Sequence, residues 1–121
     1  MSDYSPKFKP GQDPTLTAAA DITGGQLVYL SGANAVTPTA AATAAWLGVA
    51  RQDAKSGEKV VITRGGVQFL VASGGIAAGA RVIPAASGRI ATVAADATVV
   101  VGTALTAATN AGDVVTVAMD R

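Results

Sequence analysis

The sequence predicts an all-β fold: a small sandwich or barrel built from two pseudosymmetric β-units, with an extended N-terminal arm in front. Three observations lead there. Short runs rich in Val and Ile alternate with Gly-containing turn signals from Ile22 onward. The same residues recur at a spacing of 54 or 55. Three of the five prolines crowd into the first 20 residues, which have no period of 2 or 3.6.

The arm comes first. Pro6, Pro10 and Pro14 are interleaved with Asp3, Lys7, Lys9 and Asp13. Proline fixes φ and withholds a donor, so residues 1–20 read as an extended segment outside the core. Tyr4 and Phe8 give this arm two of the chain's five aromatic side chains. The strand runs follow as Gln26–Leu30, Leu47–Ala50, Lys59–Thr63, Val67–Val71, Arg81–Pro84, Ile90–Val93, Thr98–Leu105 and Val114–Met119. Ser31-Gly32, Ser56-Gly57, Gly65-Gly66, Gly74-Gly75 and Ser87-Gly88 separate most of them. Thr39–Ala45 is rich enough in alanine for a helical turn but lacks amphipathic spacing, which leaves a loop as the other reading.

The repeat organises these runs. Gly25 matches Gly79, Val28 matches Val82, Gly48 matches Gly102 and Ala50 matches Ala104, all at 54. Gly57 and Glu58 match Gly112 and Asp113 at 55. Two copies are too few for a solenoid. They read as two β-units, over 22–66 and 76–121, closing on one shared core in a single β domain spanning 21–121.

Composition limits the chemistry. The 121 residues fit one domain. No cysteine or histidine occurs, which removes disulfides, thiolate nucleophiles, the usual general base and the commonest transition-metal ligands. Nine Lys+Arg against eight Asp+Glu offer no basic face to nucleic acid, and no apolar 20-residue stretch offers itself to a membrane. Alanine supplies 27 residues, and Ala, Gly, Val and Thr together 69 of 121. Such small side chains bury little area each, so part of the stability is expected from contact with other chains.

The motif search finds no catalytic, cofactor or metal site. Asp53 and Glu58 lie among Arg51, Lys55 and Lys59, as in a solvated turn, and no Asp-x-Asp-x-Asp loop suits calcium. Trp46, beside Leu47 at the start of a strand, suits core or interface packing better than a sugar platform. Tyr29 and Phe69 sit within apolar strands. Lys55 on its polar turn loosely suggests a biotinyl or lipoyl carrier, but its neighbours stand in another order than in those families.

A further resemblance rests on an ordered set of motifs: Pro10-Gly11-Gln12-Asp13, Thr15-x-Thr17-Ala18, Thr23-Gly24-Gly25-Gln26-Leu27-Val28, Leu47-Gly48-Val49-Ala50, Ser56-Gly57-Glu58-Lys59-Val60, Gly65-Gly66-Val67-Gln68 and Ala78-Gly79-Ala80-Arg81-Val82. With the duplication, this set resembles the capsid decoration (head cement) proteins of tailed bacteriophages, especially those of actinobacterial hosts, over roughly residues 8–121. The resemblance implies a non-enzymatic structural protein without cofactor, made in the host cytoplasm. It would form a homotrimer on the outer surface of the expanded head and clamp neighbouring major capsid subunits. Tyr4, Lys7, Phe8, Lys9 and Pro10 are the expected capsid contact, and Trp46 and Leu47 the expected subunit interface. The alternatives are a β-rich carbohydrate-binding or tail-associated module and, behind it, the carrier domain.

Overall fold

The computed structural model describes residue 7 and residues 12–93 and 99–121. The described residues are all-β, with ten strands among them: β1 Thr15–Ala18, β2 Leu27–Gly32, β3 Ala35–Pro38, β4 Trp46–Ala50, β5 Lys59–Thr63, β6 Val67–Val71, β7 Arg81–Ala85, β8 Arg89–Thr92, β9 Gly102–Ala104 and β10 Val114–Met119. The first five form a closed barrel in the order β1-β3-β2-β4-β5, and the last five a sheet in the order β6-β10-β9-β7-β8.

The two units share one topology. Parallel β1–β3 pairing, with Ala18 opposite Val36, has its counterpart in a parallel bridge between Ala72 and Ile90, both 54 residues on. The antiparallel bridge Ile22–Ala54 likewise recurs as Ile76–Ala108. Register is copied too: Leu16 opposite Val60 in β1–β5 becomes Leu70 opposite Val115 in β6–β10. The interior positions correspond as buried apolar pairs, among them Leu16/Leu70, Val28/Val82, Val36/Ile90 and Ile62/Val117. This is the period-2 grammar of strands, one face in and one face out, applied twice.

Two expectations need correction. β1 lies inside the segment read as arm: Pro14 accepts a hydrogen bond from the Ile62 amide at 2.9 Å, so the first unit begins well before residue 21. β1 and β3 were not among the expected strands, because a proline stands beside one and ends the other. The single shared core is instead two clusters. Val28, Ala50, Val60 and Ile62 belong to the first unit's cluster. The second unit's cluster takes in Leu27, Trp46 and Val49 from the first. Leu27 and Val28 are adjacent and both 0% exposed, so the start of β2 is buried on both faces, one toward its own barrel and one toward the second unit. Thr39–Ala45 is a loop without helix.

Polar contacts lock the units further. Buried Thr39 donates from Oγ1 to the Ala85 carbonyl at 2.8 Å, and its backbone carbonyl accepts from the Gly88 amide at 3.0 Å. Gln26 Nε2 donates to the Ser87 carbonyl at 3.0 Å. At the other end of the contact, the Arg121 guanidinium lies 4.3 Å from the Trp46 ring centroid and donates to the carbonyls of Ala44 and Trp46 at 2.8 and 3.0 Å. Arg121→Ala is expected to cost about 1 kcal/mol and to shift the emission of Trp46, the chain's only tryptophan, to the red. Chemical denaturation followed by fluorescence checks both.

Candidate interaction surface

Four acidic residues cap turns. Asp21 Oδ1 accepts from the Ser56 amide at 3.0 Å, Asp53 Oδ1 from the Gly24 amide at 2.8 Å and Glu58 Oε1 from the Lys55 amide at 2.7 Å. Asp113 repeats the role of Glu58, with Oδ2 accepting from the Asn110 amide, again three residues back, at 3.0 Å. Each carboxylate satisfies backbone donors that a tight turn leaves unpaired, which explains the spacing that placed Glu58 and Asp113 in the repeat. Among the described residues, no group of three or more His, Cys, Asp or Glu side chains is gathered as metal ligands would be.

Trp46 is only 3% exposed, enclosed by core packing and by Arg121, which leaves little of its ring for a partner. Leu47 on the opposite strand face is half-buried against the first unit's core. Lys7 is exposed; Tyr4, Phe8, Lys9 and Pro10 lie outside the described residues.

The surface that sequence reasoning missed is the outer face of β6–β10. Along β6, Leu70 points inward while Val67 and Phe69 face out, 58% and 70% exposed. On β10, Val114 stands opposite Val71 and is 59% exposed; Thr116 stands opposite Phe69. Leu105, 50% exposed, extends the row past β9, its amide donating to the Thr116 carbonyl at 2.7 Å. Neither β6 nor β10 contains a charged residue. Beside the face runs a groove of about 400 Å3, lined by Phe69, Val71 and Val114 together with Gln26 and Arg89. Phe69 reads from sequence as part of an apolar strand, four of whose five residues are apolar; only the pairing of β6 with β10 shows which of its faces is covered.

Large exposed apolar residues scattered singly are ordinary, whereas several on one strand pair mark an interaction surface. A family model described as phage cement protein matches residues 8–119. The chain belongs to the phage cement protein family. Membership makes it a structural protein associated with the phage head. No curated protein matches the sequence. Among solved structures, this cement protein is similar to the head fiber gp8.5 N base of bacteriophage phi29, with 21% identity over 89% of this chain and 92% of that one, at a TM-score of 0.71. At that identity the likeness bears on the fold alone.

Proposed function

We propose that this cement protein binds the outer surface of the expanded phage head as a homotrimer and clamps neighbouring major capsid subunits. It acts by buried contact and not by chemistry. The observation that carries this reading is family membership across residues 8–119. The double unit supports it, because strands buried on both faces and a polar lock at Thr39 make a stiff body, and stiffness lets binding energy go into holding a shell. Identical modest contacts repeated over a shell then add through multivalency.

Co-sedimentation with expanded, undecorated shells of the major capsid protein from the same genome tests the proposal. Saturable binding at a fixed ratio to capsid subunits is expected. Absence of binding to well-formed expanded shells would overturn it. The arm carries part of the contact, through Tyr4, Lys7, Phe8, Lys9 and Pro10. Deleting residues 1–11 spares the Arg51–Asp13 ion pair at 3.7 Å and the bond from Ile62 to Pro14. A truncated protein that melts like the full chain is expected to bind shells at least ~10-fold more weakly, the loss of one or two aromatic anchors. Unchanged binding removes the arm from the interface.

A further inference from the structure

We infer that the outer face of β6–β10 is where copies of this chain meet one another. The inference rests on the trimeric cement reading above and names the surface on which that trimer is built.

The duplication provides the control. β1–β5 has the same register as β6–β10, yet its outer face is polar. Where the second unit has Val67, Phe69 and Val71, the first has Asp13, Thr15 and Thr17; opposite them, Leu105 and Val114 replace Arg51 and Lys59. In the first unit Arg51 pairs with Asp13, and Lys59 Nζ donates to Thr17 Oγ1 at 2.9 Å. The same backbone therefore folds with a charged, solvated surface. Folding does not require the apolar one.

Charge selects the occupant. The face has no formal charge on its strands, so it attracts no charged surface, and it would strip water from one without return. Seating the first-unit face of a neighbouring copy would strip water from the Arg51–Asp13 pair and from the Lys59 ammonium, and this face has no charge to return for it. It matches its own equivalent on another copy, and a net charge of +1 per chain hardly opposes that meeting. Five residues of β6, and three strand positions across, project to roughly 200 Å2, against about 800 Å2 per partner in a stable interface. One such contact is too small to hold a pair. Three copies presenting this face toward one axis cover it from two neighbours at once, and the groove beside Phe69 adds area by receiving a neighbour's side chain.

The test transplants the first unit's residues into the second. One variant carries Phe69→Thr, Val71→Thr and Val114→Lys; another carries Val67→Asp with Leu105→Arg. Both use side chains that the same register already accommodates, and circular dichroism with thermal melting verifies the fold. Light scattering of the unmodified protein is expected to give three times the 11.8 kDa chain mass. Each folded variant is expected to associate roughly 100-fold more weakly and to run as a monomer at concentrations on the order of 10 μM. Folded variants that keep the trimer mass overturn the inference and leave the cement reading intact. Variants that stay trimeric but lose shell binding also overturn it, assigning the face to the capsid. An unmodified protein that is monomeric overturns both the trimer and this interface. Failure of the unmodified trimer to bind shells overturns the cement reading alone.

Discussion

Gly102→Ala is expected to lower the melting temperature by on the order of 10 °C, the largest effect of an added methyl at any described glycine. A Cβ at Gly102 would collide with the Ala118 carbonyl oxygen and lie 2.9 Å from its carbonyl carbon and 3.0 Å from the Met119 Cα. All three are backbone atoms of β10, hydrogen-bonded into the sheet, so no side-chain rotation relieves the clash. Overpacking against side chains costs about 1–3 kcal/mol, and displacing a strand belongs at or above the top of that range. Gly48, its repeat equivalent, is constrained alike, with the Thr63 carbonyl oxygen 2.6 Å from a built Cβ. Gly74 is the control. Nothing lies within 4 Å of its Cβ position and its φ is not positive, so Gly74→Ala is expected to stay within about 0.5 kcal/mol of the parent. Calorimetry of the three variants decides the matter. A Gly102→Ala protein melting within about 2 °C of the parent would mean that β9 and β10 are not packed this closely.

Leu27→Ala is expected to destabilise by about 2–5 kcal/mol, the cost of a cavity in a site closed on every side. Its particular signature is where the damage appears. Leu27 belongs to the first unit by chain position but is fully buried in the cluster of the second, beside Trp46 and Val49. Hydrogen exchange in the Leu27→Ala protein should therefore rise in β7 and β8. Val28→Ala, one residue on and facing the other way, should raise exchange first in β1, β3 and β5, whose side chains fill its own barrel. Identical exchange patterns in the two variants would contradict the two-faced burial of β2. The contrast matters for function. If the protein clamps capsid subunits as proposed above, a subunit that yields between its two units would transmit less restraint across the clamp, and Leu27→Ala should weaken its protection of expanded shells.

The exposed β6–β10 face and the buried β2–β4 pair illustrate one economy of duplication. Backbone and interior are copied nearly position for position, as in Val28/Val82 and Ala50/Ala104. The outer faces have been specialised separately. Leu27 and Val49 cover the second unit, whereas their equivalents Arg81 and Thr103 stay near solvent, bonded to each other at 2.7 Å, with Arg81 also paired to Asp120. Asp13, Arg51 and Lys59 keep one outer face wet, whereas Val67, Leu105 and Val114 leave its twin apolar.

By itself the sequence determined the all-β class, seven of the ten described strands in close outline and the place of an eighth, β9, which is shorter than the run Thr98–Leu105, together with the duplication and the family resemblance. Each of these is written locally, in the alternation of Val and Ile with turn glycines or in a fixed spacing of residues. Local signals failed at β1 and β3, where Pro14 and Pro38 read as breakers although one merely precedes its strand and the other closes it. The tertiary structure alone decided which face of each strand is covered. Val28 and Leu27, or Leu70 and Phe69, are neighbours of similar hydrophobicity, and nothing in their chemistry says which barrel, if any, each one enters. That depends on the strand across the sheet and on the unit packed behind it, partners tens of residues away in the chain. So the composition led to an expectation of contacts with other chains, and the pairing of β6 with β10 placed an apolar surface on the outside.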